Sequence, residues 1–395
     1  MARDVTWPDS AGRATHLRVL VAGIASLVLT VGLARFAYTP LLPVMREQAG
    51  LSYLAGGWLA AFNYAGYIAG ALLAAVTGDL QRKFRYYRWG LVVAVASTAA
   101  MGLTDHLAVW ALLRFVAGMS STAGMLLASG LVLNWLMREH HRPVLGLHFT
   151  GLGIAVSGVG ASAVAALPWS GQWLALGALG LVFFVPAWCW MPAPAAMQGA
   201  GAGLPVDEPP PSRRWHALLL AAYFCAGFGY VVSATFIVDI VEKMPVMAGQ
   251  GALVWVVVGV AAVPSSLLWD RIAAALGQVQ ALLLAYGLQI VSIALPLLSS
   301  APLWNLASAV LYGGTFAGIV SLTLALVGRR FPGNPSKAMA RLTLSYGAAQ
   351  VIAPAMTGAI AAATGSYAGA LLATAGVMVL GMGLLLALRR AERSA

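Results

Sequence analysis

The 395-residue chain is 61% apolar and only 9% charged, whereas soluble domains carry roughly a quarter charged residues. So few charges cannot cover the surface of a soluble chain this long, and lipid is the natural solvent for so much apolar area. A formal net charge of +11 would suit nucleic acid, but the charges sit in short loops between long apolar runs, which argues against that partner.

The first 16 residues are polar, with Arg3 and Arg13. The apolar run after them is longer than a signal-peptide core and lacks a convincing small-residue cleavage site, so it reads as a retained first span. About 20 apolar residues cross the hydrocarbon layer at 1.5 Å each. On that measure, spans are expected near 18–40, 53–76, 89–104, 108–136, 144–167 and 172–191. A second set follows near 215–239, 250–268, 279–299, 303–327, 342–363 and 367–388. Lipid leaves no unpaired backbone amide, so these runs are helices; they are too long for barrel strands.

Between the sets, Pro192 to Arg214 holds Pro192, Pro194, Pro205, Pro209, Pro210, Pro211, Asp207 and Glu208. It reads as a hydrophilic, extended linker. The expected fold is an all-α membrane protein of twelve transmembrane helices in two six-helix halves, 1–191 and 215–395, joined by a cytoplasmic linker at 192–214. Such repeats are common in transporters, with the substrate site at their interface near the midplane.

With the N-terminus inside, all but four of the 23 Lys and Arg fall in inner loops. Arg46 and Lys243 fall in outer loops, and Arg35 and Arg114 within spans. Cytoplasmic loops carry the excess of Lys and Arg, so both termini are expected in the cytoplasm of a bacterium, with the chain multi-pass in its inner membrane. His140 and His141, beside Arg138 and Arg142, read as solvated or lipid-facing inner-loop charges. Cys189 and Cys225 lie inside apolar runs and read as core residues, not as a disulfide or metal pair.

Two loops echo one another. After helix 2 the chain reads Gly78-Asp79-Leu80-Gln81-Arg82-Lys83, and after helix 8 it reads Ser266-Leu267-Leu268-Trp269-Asp270-Arg271. Helix 4 carries Arg114-Phe115-Val116-Ala117-Gly118, and helix 5 is rich in glycine. The paired loops and the Arg-x-x-x-Gly element resemble the major facilitator superfamily. Asp79 and Lys83 fit its loop pattern although the Gly before and the Arg after Asp79 are missing; Asp270-Arg271 fits with Ser266 in the usual Gly place. The resemblance implies an inner gate made by Asp79, Lys83, Asp270 and Arg271, in which an aspartate caps a helix and pairs with arginine. The glycines of helix 5 read first as close-packing positions.

Helix 1 ends in Gly32-Leu33-Ala34-Arg35-Phe36-Ala37-Tyr38-Thr39-Pro40-Leu41-Leu42-Pro43. This string is similar to that of the YbfB/YjiJ group of the superfamily, which implies a transporter without naming its cargo. Arg35 is placed two turns before the outer end of helix 1, and Arg114 some two turns into helix 4. A buried Arg costs ~2.5–3.5 kcal/mol on insertion scales and faces the bundle interior or a partner. Two such cations with no mid-span acid suggest a site for a carboxylate or phosphate, which Arg bonds with two donors at once. The other reading is structural: each Arg bonds helix carbonyls or snorkels outward. Tyr38 and Asn63 are the further substrate-site candidates, with Tyr67, Tyr230, Tyr312, Tyr346 and Gln350 behind them. Asp239, at the outer end of helix 7, either bridges to Arg35 or is a solvated end charge. A coupling proton would use Asp239 or His148.

No metal-spaced Cys/His set, paired carboxylates or nucleotide-binding glycine loop is present, so neither an enzyme nor a cofactor or metal is expected. The leading expectation is a monomeric secondary transporter of a small, anionic molecule, in contact with lipid and working by alternating access. Export of drugs or apolar metabolites is the alternative, and a non-transporting membrane sensor the third reading.

Overall fold

The computed structural model describes residues 10–139, 146–160, 166–194, 212–330 and 335–393, and no described residue lies in a strand. Most of the linker, His140, His141 and Arg142 lie outside the described residues. Helix α1 runs through three consecutive segments, Ser10–Leu27, Val28–Phe36 and Tyr38–Gln48. It is followed by α2 (Tyr53–Val76), α3 (Leu80–Ala100) and α4 (Leu107–Thr122, Ala123–Ala128 and Ser129–Arg138). Then come α5 (Gly146–Gly160), α6 (Trp169–Trp190) and α7 (Arg213–Glu242). The bent α8 (Gly251–Ala262 and Ser265–Leu276), α9 (Gln278–Leu298), α10 (Pro302–Arg330), α11 (Pro335–Thr364) and α12 (Ala368–Arg393) complete the order.

Among the described residues, nine helices are long and apolar enough to cross a membrane, or ten if the bent pair of α8, with its 45° break, is one span. The chain is therefore a multi-pass membrane protein. Two helices fall short for separate reasons. The first turns of α3 carry Arg82, Lys83, Arg85 and Arg88, and this helix starts nine residues before the expected 89. Only 15 residues of α5 are described.

The first helix departs most from expectation. Pro40 and Pro43 do not end it; α1 continues to Gln48. The stretch Val28–Phe36 is wound as a π-helix, and the Ala37 amide bonds the Gly32 carbonyl five residues back. The wider turn accommodates Pro40, which has no N–H to donate. Arg35 thus lies mid-helix rather than near an outer end, and Arg46 belongs to the last turn of the helix rather than to a loop.

Side-chain bonds define the two faces of the bundle. On one, Trp215 Nε1 donates to Glu392 (2.9 Å), Arg330 pairs with the same carboxylate (3.2 Å) and Gln81 donates to the Pro194 carbonyl (3.0 Å). The start of α7, the ends of α10 and α12, the start of α3 and the end of α6 therefore share this face, called the basic face below. On the opposite face the Trp169 amide bonds Gln48 Oε1 (2.8 Å) and Arg46 meets Asp239 (2.7 Å).

Close helix crossings rest on glycine. A Cβ on Gly57 of α2 would lie 3.0 Å from the Gly358 Cα of α11, and one on Gly259 of α8 would lie 2.7 Å from the Gly153 carbonyl of α5. In lipid such backbone approach is itself a main source of helix association. The packing reading of the α5 glycines holds at Gly153, and at Gly151 against Ile24 of α1. Both cysteines are free; Cys225 is buried as expected, but Cys189 is exposed on α6 and is not a core residue.

Candidate functional site

Arg35 is the centre of the site. It is 7% exposed, and among the described residues no carboxylate pairs with it and its Nε has no partner. Its guanidinium lies over two tyrosine rings of α2, Tyr64 at 4.4 Å and Tyr67 at 4.7 Å. Those tyrosines are three residues apart and so share a helix face. Cation–π contact partly replaces the counterion that a buried Arg otherwise needs.

From Tyr64 an aromatic wall runs across the bundle. Tyr64 meets Tyr230 of α7 edge-on (6.4 Å), and Tyr230 stacks on Tyr346 of α11 (5.8 Å). Tyr346 stacks on Tyr223 (4.5 Å). Tyr312 of α10 donates to the Tyr230 carbonyl (3.0 Å) and stacks on Phe316 (5.3 Å). Tyr64 and Tyr230 are buried, whereas Tyr67 and Tyr346 are half-buried. One cation thus faces a box of rings contributed by α2, α7, α10 and α11. Of these, Tyr64, Tyr223 and Phe316 were not anticipated. For Tyr64 the signal was available in its position one turn before Tyr67.

Arg114, also expected beside a ligand, is engaged with the backbone. It donates to the Ala34 carbonyl (3.2 Å) and to the Arg35 carbonyl at the limit of bonding (3.5 Å), and its guanidinium lies 4.4 Å from the centre of the Tyr38 ring. The reason lies in α1. The Ala37 amide bonds Gly32 and the Leu41 amide bonds Ala37. The carbonyls of residues 33–36 are left with only the Tyr38 and Thr39 amides, because Pro40 donates nothing. Buried carbonyls in lipid need donors from elsewhere, and Arg114 supplies them. Asn63 donates to the Arg114 carbonyl (2.9 Å), and its Oδ1 has no partner among the described residues. Tyr38 donates to the Gly56 carbonyl (2.9 Å). The donors named here bond backbone carbonyls, while Asn63 Oδ1 and Arg114 Nε have no partner among the described residues.

Asp239 is neither solvated nor joined to Arg35. It is 2% exposed and pairs with Arg46, while the Tyr367 hydroxyl donates to the same carboxylate oxygen. Arg46 lies 11 residues beyond Arg35, some 16 Å along the helix at 1.5 Å per residue, so the longer α1 redirects the pairing. Arg46 also sits over the Tyr53 ring (3.2 Å), and Tyr53 meets Tyr367 edge-on (5.4 Å). With Thr39 donating to the Ala234 carbonyl and Phe36 against Trp255 (6.0 Å), the α1 contacts to α7 and α8 lie from Phe36 outward. The seam is closed on the face opposite the basic one.

Lys243, just beyond α7, completes this cluster over Tyr53 (4.0 Å). Partial burial, and then the neighbouring Arg46 charge, push its ammonium down to about 8. The closed cluster therefore favours neutral Lys243, and closure gains as pH rises from about 8 towards the usual lysine value. Labelling of a cysteine on this seam, taken relative to a free thiol at the same pH because the thiolate is the reactive form, is expected to slow between pH 7 and pH 9.5, and Lys243→Ala to flatten that dependence.

The expected inner-gate residues are not brought together. Asp79 caps α3 by accepting from the Gln81 amide (3.0 Å) and lies 3.7 Å from Arg82, with both side chains more than half exposed. Lys83 is half-buried, and Asp270 and Arg271 are exposed. His148 is buried and bonds Ser129 (2.9 Å).

Residues 27–386 match the family described as "Uncharacterised MFS-type transporter YbfB". The chain is 26% identical over 273 residues, 65% of its own length and 67% of the relative's, to "Uncharacterized MFS-type transporter YceJ" of Bacillus subtilis (strain 168). In fold it is similar to the nucleoside transporter NupG (TM-score 0.72, 13% identity, 95% of this chain and 98% of that one). It is also similar to a bacterial homologue of the human lysosomal transporter Spinster, solved inward-facing and unoccupied (TM-score 0.65, 16% identity, 97% and 98% covered).

Proposed function

The chain belongs to the major facilitator superfamily, in its YbfB-type family, and from that premise we propose that it is a secondary transporter of small organic anions, with Arg35 as the anion-binding residue. The observation that carries this reading is the Arg35 guanidinium, buried with no carboxylate paired to it among the described residues and faced by Tyr64 and Tyr67. A planar guanidinium with an unpartnered Nε suits a carboxylate or phosphate, and the surrounding rings suit an apolar or aromatic body. A cation exporter needs a buried acid in the chamber; the buried Asp239 is instead engaged by Arg46.

The proposed mechanism is alternating access by two six-helix halves, 1–191 and 215–395, twelve spans in all. The closed Arg46–Asp239 seam corresponds to the state open towards the basic face. That face is cytoplasmic by the charge rule, with both termini inside and the chain a monomer in a bacterial inner membrane. In the opposite state Asp79, Lys83, Asp270 and Arg271 close the inner side, which is why they stand apart here. A coupling proton would use Asp239, freed when Arg46 withdraws, or His148.

The test is a thermal-shift screen of purified protein against organic anions, neutral sugars and organic cations. A ligand at 100 times its Kd stabilises by about 2.7 kcal/mol. Stabilisation by organic anions that disappears in Arg35→Ala is expected. Stabilisation by cations or sugars alone, or an anion effect that survives Arg35→Ala, would overturn the assignment.

A further inference from the structure

A second site lies outside the aromatic box, between α2, α3 and α4. Two neighbouring cavities, of about 300 Å³ and 190 Å³, both have Ala74 and Leu127 in their lining and are together called the furrow. Leu73, Trp89 and Leu126 along it are exposed, so it is open on one side rather than enclosed. On α3 the lining runs from Leu80 to Val93. At 1.5 Å per residue that is roughly 20 Å, about the depth of one leaflet with its headgroup region.

The furrow is chemically polarised. Its deep part is apolar, while at the basic face Lys83 and Asn134 line its end. Lys83 is half-buried and makes no ion pair with a described carboxylate. Arg82 and Arg85 stand exposed beside it, against one acid, Asp79, which already caps α3 and faces Arg82. A cation held at the mouth of an apolar channel of leaflet depth matches a single kind of membrane component. We infer that this furrow binds an anionic phospholipid, with one acyl tail between α2, α3 and α4 and the headgroup phosphate at Lys83. Basic pockets between helices at a membrane face attract such headgroups, and the tail fixes the lipid in one place. The occupant would border the Asp79 loop, so its binding is physically adjacent to one of the proposed inner-gate elements.

Gly130 makes the site testable. It lines the furrow, is exposed, and a Cβ there would meet nothing within 4 Å. Gly130→Phe therefore starts from an unobstructed Cβ and adds bulk to the channel, and Gly130→Leu is the milder second variant. Delipidated protein would be mixed with equal phosphatidylglycerol and phosphatidylcholine of identical tails, and the first bound lipid counted by native mass spectrometry. The wild type is expected to prefer phosphatidylglycerol about fivefold, the order of one basic side chain at a membrane surface. Lys83→Gln is expected to lose that preference while still taking up lipid. Gly130→Phe or Gly130→Leu, at an unchanged melting temperature, should lose the first-bound lipid of both kinds. Equal uptake of the two lipids by the wild type, or full uptake by a folded Gly130 variant, would overturn the proposal. Glycerol phosphate held as tightly as the lipid would show a headgroup site without a tail seat, and would overturn it as well.

Discussion

Arg35→Ala is expected to lower transport about a hundredfold or more, the scale of removing one partner of a buried charged contact, while the protein folds and accumulates normally. Two terms decide the folding side. Burying an Arg costs ~2.5–3.5 kcal/mol, and contact with aromatic rings returns up to about 2 kcal/mol when desolvated. Among the described residues no carboxylate is left stranded by the truncation, because none pairs with Arg35. Stability should therefore stay level or rise slightly, even as transport is lost. Arg35→Lys should restore little, since an ammonium keeps the charge but not the planar pair of donors over Tyr64 and Tyr67. Uptake in vesicles, with melting temperature measured on the same preparations, checks both halves. Full transport by folded Arg35→Ala protein would remove Arg35 from the substrate site. A variant that fails to accumulate would make the residue structural.

The second large effect is expected at the opposite face. Arg46→Ala strands Asp239, which is 2% exposed, with the Tyr367 hydroxyl as its one remaining partner among the described residues. Removing one member of a buried ion pair costs about 3–5 kcal/mol. That cost falls on the closed seam, where α1 and α7 meet, so it shifts the conformational balance by two orders of magnitude or more towards the state open on that face. Thr39 reports the shift well, because it is 2% exposed and bonds the Ala234 carbonyl across the same seam. In a Thr39→Cys background, Arg46→Ala should raise labelling by a water-soluble thiol reagent from that side. Adding Asp239→Asn should reverse much of the rise, since both buried charges are then gone. Unchanged labelling in Arg46→Ala would mean that the pair does not hold the seam.

The sequence by itself determined the solvent and the class, and it set the expectation for sidedness. Apolar runs of span length and the crowding of Lys and Arg into alternate loops are local or additive properties, legible without any contact. The first helix also announced its buried cation, because an Arg within an apolar run has few places to go. The contacts of that cation were not legible. Prolines at 40 and 43 signal a helix end, but a π-helical stretch ahead of them lets α1 run on to Gln48, and this decides both the depth of Arg35 and the helical place of Arg46. The same turn creates the carbonyls that engage Arg114, so a residue that reads as a ligand contact from its charge also bonds the backbone of α1. Arg46 and Asp239 are 193 residues apart, and Tyr64 meets Tyr230 from a different stretch of chain altogether. Periodicity reaches a turn or two along one helix, and pairings between helices follow from how close their backbones can pack. Glycines such as Gly57 and Gly358 set that approach, and only the assembled bundle shows which helix each of them faces.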